Sequence, residues 1–282
     1  MRRTLARAVV REGVGLHGGA PVCVRLGPAA AGEGIVFARV DLSGTPALRA
    51  SVDAVADVRR CVALAPAGGT PGGARTVEHL LATLYAVGVC DARVELDAPE
   101  LPALDGSAQG WLDAVDEAGV AEVAGYAPAP LVVRARLGVE GAALEPLVGA
   151  GDVPRLGPRL EIDATHDPGR GLPVQRLVLT LTAQTFRSDI APARTFAFAD
   201  EVDALHAAGL ARGGTLDNAL VLDAAGAPVG PGRLRFPDEP VRHKILDALG
   251  DLSLLGRPLH ARLTLHRSSH AAHVALARLL AS

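Results

Sequence analysis

The succession of apolar runs constrains the fold more than any single residue does. Runs of strand length, "PVCVRL", "GIVFARV" and "CVALAP", fill the N-terminal part and are separated by Gly/Pro turns. A helix is expected next: Thr76 caps it, "VEHLLATLYAV" carries it and Gly88 ends it. Another strand, "ARVELDA", and a second helix around "SAQGWLDAVDEAG" follow. Pro128 and Pro130 in "EVAGYAPAPLVV" then break the pattern and place a domain boundary near residue 125. Strands begin again beyond it, in "LVVRARLGVE", "RLEIDAT" and "QRLVLTLTA". A helix around "FADEVDALHAAG", a short strand "NALVLD", the helix "DEPVRHKILDALGDLSLLG", a strand "HARLTLH" and a last helix after Ser269 complete the chain. Strands first and helices after, in each half, argue for an α+β fold of two units, 1–125 and 126–282, rather than a βαβ array.

Aromatic residues are only 3% of the 282, so the core of such a fold has to be built from Val, Leu and Ala. The net charge of -3 gives no electrostatic footprint for nucleic acid. Cys23, Cys61 and Cys90 are sparse and odd in number, which argues for a reducing compartment and against a disulfide framework or a thiolate zinc site. Arg7 and Arg11 interrupt the first apolar run, and nowhere do 18 apolar residues stand together. A soluble, cytoplasmic, monomeric protein without a transmembrane segment is expected.

The stretch "RHKILDALGD" carries the chemistry. His243, Asp247 and Asp251 stand four residues apart, beside Lys244, the one lysine among 28 basic residues. In a helix His243 and Asp247 lie on one face about 6 Å apart and can converge on one cation. Asp251, about 12 Å along the axis from His243, is too far for a third ligand. With nine histidines, about one His-x-x-x-acid pair arises by chance, so the pair alone does not separate a metal site from a solvated helix face. His79 is the candidate third ligand, and Glu78 beside it suits a base for bound water, since catalytic zinc keeps an open position. Glu78 is equally at home as a first-turn acid and His79 as a half-buried core histidine. His266 with His270 is a weaker metal pair, because "HARLTLH" is a strand and "RSSH" a turn. His17 lies in a Gly-rich turn; His166, His206, His260 and His273 are assigned to the surface. No Gly-x-Ser-x-Gly elbow and no phosphate-binding loop is present.

Together "GVGLHGG", "TVEHLLATLYAVGVCDARVELDAPELPALDGSA", "PARTFAF", "GGTLDNALVLD", "VRHKILDALGDL" and "SSH" resemble, in this order, the UDP-3-O-acyl-N-acetylglucosamine deacetylases, zinc amidases of lipid A biosynthesis. The resemblance implies two α+β domains facing each other across an active site. It implies that His79, His243 and Asp247 hold one Zn2+ per chain, with Fe2+ as the alternative in the cell. Glu78 resembles the base that activates water. His270 resembles the imidazolium that assists the leaving amine, and Asp251 the acid that holds it charged. Thr195 resembles the hydroxyl that supports the oxyanion. Lys244 and Phe196 match substrate-binding positions, Lys244 reaching the phosphates of a UDP-linked acylated amino sugar. An insert around residues 185–215 is expected to form an apolar acyl passage. Three positions depart from the family pattern: Ala164 where an aromatic stacks on uracil, Glu145 where a lysine stands, and Ser269 where a glycine precedes the catalytic histidine. The first two weaken the expected grip on UDP, with Arg155, Arg159 or Arg170 placed to compensate. They leave open a paralogous zinc amidase acting on another N-acylated sugar.

Overall fold

A computed structural model describes residues 1–147 and 157–281. The fold is α+β. A five-stranded sheet forms in the N-terminal half in the order Val9–Val14, Pro21–Gly27, Ala92–Leu96, Ile35–Arg39, Leu48–Arg49. A second sheet forms in the C-terminal half in the order Leu137–Val139, Ala142–Glu145, Leu259–His266, Arg159–His166, Gln175–Thr180, with Leu131–Val132 added alongside Leu259–His266. Six α-helices accompany them among the described residues: α1 (Glu78–Ala86), α2 (Gln109–Ala118), α3 (Ala183–Thr185, continued by a π turn over Phe186–Ile190), α4 (Ala199–Ala207), α5 (Glu239–Ser253) and α6 (His270–Ala281). Among the described residues no strand pairing crosses residue 125, and Val120–Val123 returns to pair with Arg2–Leu5.

The sheets follow from period-two burial. In Arg159–His166, Leu160, Ile162 and Ala164 turn inward. The inner faces and the helices share one apolar cluster that contains Leu80, Leu84 and Trp111 of α1 and α2 and Ile245, Leu249 and Leu252 of α5. As the composition demands, Val, Leu and Ala dominate it. The halves approach closely at Gly250 on α5. A Cβ there would stand 2.2 Å from the Glu78 carbonyl oxygen, so only hydrogen fits between α5 and the start of α1.

Local expectations shift in three places. Thr76 does not cap α1: it sits in left-handed backbone (φ 55°) and its hydroxyl donates to Glu100 at 2.8 Å, leaving Val77 as the residue before the helix. "LVVRARLGVE" is two short strands, because Leu131–Val132 and Leu137–Val139 pair with different neighbours. "CVALAP" shortens to Ala63–Leu64, whose partners are themselves only two and three residues long.

Candidate metal centre and its cleft

Helix α5 begins with Pro240 in its first turn and keeps one polar stripe inside the protein. Glu239, His243, Asp247 and Asp251 recur every four residues and are 0–3% exposed. The His243 Nδ1 lies 3.0 Å from the Ala193 carbonyl oxygen. A carbonyl can only accept, so Nδ1 carries the proton and Nε2 keeps its lone pair for a ligand. That Nε2 is 3.3 Å from Asp247 Oδ1, and His79 Nε2 is 3.8 Å from the same oxygen. The three donor atoms lie within 4.8 Å of one another. Ligands 2.0–2.2 Å from a tetrahedral ion stand roughly 3.3 Å apart, so the group fits one divalent cation with a position left open. Lys244 Nζ is 3.0 Å from the other oxygen, Asp247 Oδ2. Burial alone would raise the Asp247 pKa, but Lys244, His243 and His270 hold it well below the usual carboxylate range.

Glu78 and His270 flank this centre. Burial pushes the Glu78 carboxyl up to about 7, against the pull of His270, and its Oε2 accepts from the Val62 N–H at 3.1 Å. Burial would lower the His270 pKa, yet Asp251 and Asp247 raise it to about 10. Its Nδ1 stands 2.8 Å from Asp251 Oδ2, and His273 Nδ1 stands 2.8 Å from the same oxygen. Asp251 therefore joins the end of α5 to the start of α6.

The centre opens into a cavity of about 580 Å³. Thr195, Phe196, Lys244 and Ser269 line it near the polar group. Its apolar end is walled by Leu16, Val58, Val202, Leu205, Leu216 and Val221. Val202 and Leu205 of that wall belong to α4 in the segment expected as an insert, where strand Phe196–Phe198 pairs in parallel with Leu220–Leu222. The Phe196 ring lies 5.5 Å from Lys244 Nζ.

Two expectations about the nucleotide grip change. Ala164 is 1% exposed inside the sheet and does not line the cavity, so it marks no missing platform there. Glu145 is also absent from the cavity wall; it pairs with Arg136 at 3.1 Å, so its charge is met on the sheet rather than in the cleft. Arg170 is held by Asp200 and Glu201 over the Phe198 ring, Arg159 does not line the cavity, and Arg155 lies outside the described residues. His260 and His273 are buried rather than on the surface. His166 stands against Phe196 with ring centroids 5.3 Å apart, and burial and Lys244 lower its pKa to about 4. His17 reaches the cavity because Glu100 accepts from the N–H groups of His17 (2.9 Å) and Gly18 (2.6 Å) and shapes that turn. Glu239 is absent from the sequence reading, and His273 stands in it only as a surface residue. The four-residue spacing carried one turn upstream would have found the first; His273, three residues after His270, has only its place on the same helix face as a signal.

A family model described as UDP-3-O-acyl N-acetylglycosamine deacetylase matches residues 2–282. Curated proteins named UDP-3-O-acyl-N-acetylglucosamine deacetylase are similar over nearly the whole chain. One from Thermosynechococcus vestitus is 42% identical over 280 residues, covering 99% of this chain and 94% of its own. One from a Nostoc species is 42% identical, covering 98% and 97%. One from Myxococcus xanthus is 41% identical, covering 98% and 85%.

Proposed function

The chain belongs to the UDP-3-O-acyl-N-acetylglucosamine deacetylases, and from that premise we propose how its own residues carry the reaction. The reaction is hydrolysis of the N-acetyl amide of the UDP-linked acylated sugar, with release of acetate, in lipid A biosynthesis. His79, His243 and Asp247 hold one cation, for which two imidazoles and a carboxylate favour Zn2+ over the harder Mg2+ and Ca2+; Fe2+ is the alternative in the cell. When bound, the cation polarises the acyl carbonyl and makes a water acidic.

Glu78 takes the proton from that water. A carboxyl poised at about 7 both accepts and returns a proton at neutral pH. His270, kept protonated by Asp251, donates to the leaving nitrogen. Thr195 at the cavity wall supports the carbonyl oxygen as it gains charge. Lys244 meets the phosphates, where a compact ammonium on a flexible stem acts as a point charge, and Phe196 packs against the sugar. The acyl chain takes the apolar end of the cavity. Among the described residues no helix is long and apolar enough to cross a membrane; cytoplasmic location, a monomer and a division into two units near residue 125 belong to the same proposal.

One observation supports this reading above the others: three ligand atoms converge next to a carboxyl at about 7 and an imidazole at about 10, in one cleft. With Ala164 and Glu145 away from the cleft, no observation favours a second sugar. The test compares deacetylation of the UDP-linked sugar with that of the same sugar lacking UDP, alongside the metal content of the purified protein. A preference for UDP that weakens in Lys244→Ala is expected. Equal rates on both sugars would remove the assigned substrate, and absence of a stoichiometric divalent metal that zinc cannot restore would remove the assigned chemistry.

A further inference from the structure

We propose that Glu239 is a positioning residue that orients the ligand His243 through a single peptide unit. The peptide between Ala193 and Arg194 is held at both ends by α5. Its N–H donates to Glu239 Oε1 at 3.0 Å, and its carbonyl accepts from the His243 Nδ1–H at 3.0 Å. Glu239 and His243 are one turn apart on the helix, so carboxylate, peptide and imidazole close a ring on one rigid element.

The carboxylate is built for this. Glu239 is 0% exposed and all its acceptor contacts are internal: the Arg194 N–H, the Arg194 Nε at 2.8 Å and Nη2 at 3.1 Å, and the Arg235 N–H at 2.7 Å. Arg235 extends the grip by donating to Asp105 Oδ2 at 2.8 Å and to the Pro192 carbonyl at 2.9 Å. The next residue along, Thr195, is fixed by its own N–H to the Gly106 carbonyl at 2.8 Å. An anion on one side of an amide polarises it and makes its carbonyl a better acceptor. The arrangement is thus a carboxylate–histidine pair with one peptide inserted. Partners of a ligating histidine fix its tautomer and ring plane and raise its basicity, and their loss typically weakens metal binding about 10–100-fold.

The inference rests on His243 being a metal ligand, and the experiment separates the two ideas. Co2+ affinity is measured by competition with a chromophoric chelator, together with the Co2+ visible spectrum, in the full chain, in Glu239→Gln and in Glu239→Asp. Asp91→Asn serves as a control: Asp91 is an equally buried carboxylate holding Arg2 and the Gly32 and Gly34 N–H groups, and it does not line the cleft. About tenfold weaker Co2+ binding and a changed spectrum are expected in whichever Glu239 variant folds, with kcat lowered and KM little altered. The Asp91→Asn control is expected to lower Tm without moving either metal readout. Glu239 variants that lose thermal stability as Asp91→Asn does, yet bind Co2+ with unchanged affinity and spectrum, would overturn the positioning role alone. Failure of the unmutated chain to bind Co2+ would overturn both it and the assignment of His243.

Discussion

Replacing Gly250 by Ala separates geometry from stability. The new Cβ would meet the Glu78 carbonyl oxygen at 2.2 Å, and ordinary contact begins at 3.4 Å, so α1 and α5 must part by about 1.2 Å. The oxygen is backbone and cannot swing aside. Two energetic effects oppose each other. Ala is better than Gly inside a helix by about 1 kcal/mol, and overpacking a tight contact costs about 1–3 kcal/mol. The net loss of stability is therefore only about 0–2 kcal/mol. Activity has no such compensation. Glu78 and His79 ride on α1 while His243 and Asp247 ride on α5, and a misplacement of about 1 Å can lower a rate by about a hundredfold. The expected outcome of Gly250→Ala is a folded protein with kcat/KM down by about two orders of magnitude and a Tm lower by a few degrees. Parallel thermal melts and deacetylase assays measure both. If the variant folds and keeps kcat/KM within about threefold of the parent, the contact at Gly250 does not set the catalytic geometry and the argument fails.

Three further outcomes follow from the site and the core. Glu78→Ala should lower turnover at least about a hundredfold with metal content unchanged, whereas His79→Ala should lose metal; equal loss of metal and activity in Glu78→Ala would make Glu78 a ligand instead. Asp91→Asn should cost roughly 2–3 kcal/mol at neutral pH, since charged hydrogen bonds to Arg2 and two N–H groups are lost. Despite burial, the Arg2 guanidinium keeps the folded-state Asp91 pKa below 3.8, so this contribution is complete above 3.8 and disappears as pH falls through the depressed value. Denaturant melts between neutral pH and pH 2 should show the gap to the variant closing on the acid side, and a gap independent of pH would contradict the assignment. Val221→Phe fills the apolar end of the cleft and should shift preference toward shorter acyl chains, at about 0.8 kcal/mol per methylene no longer buried; an unchanged chain-length profile would refute the acyl passage.

Much of this architecture was legible from local pattern. Helices α1, α2, α5 and α6 carry continuous apolar faces with clear ends, and the strands alternate, so both types of element follow from periodicity. What periodicity cannot see is which polar residue faces inward. Thr76 has the chemistry of a cap, but its neighbour in space is Glu100, 24 residues away, and that contact fixes its backbone instead. His260 and His273 carry side chains common on surfaces, and only tertiary packing shows them buried, His260 in the second sheet and His273 on α6 against α5. Ala164 was assigned from its position in a motif, but its side chain belongs to the inner face of a strand, a distinction set by sheet register. Glu239 is the instructive omission. Its spacing from His243 equals that of His243 from Asp247, yet its role depends on a peptide at 193–194 brought in by tertiary folding.

The stripe on α5 also behaves as a screw. Four residues exceed one helical turn by about 40°, so the three steps from Glu239 to Asp251 sweep about 120° around the axis. The polar side chains consequently address three neighbours in turn: Glu239 the strap at 192–195, His243 and Asp247 the cleft, and Asp251 α6. The thread pitch alone distributes these tasks along a single rod. Deleting any one residue between 239 and 251 would turn everything beyond it through about 100°, so the length of this segment is constrained as tightly as the identities of the side chains it carries.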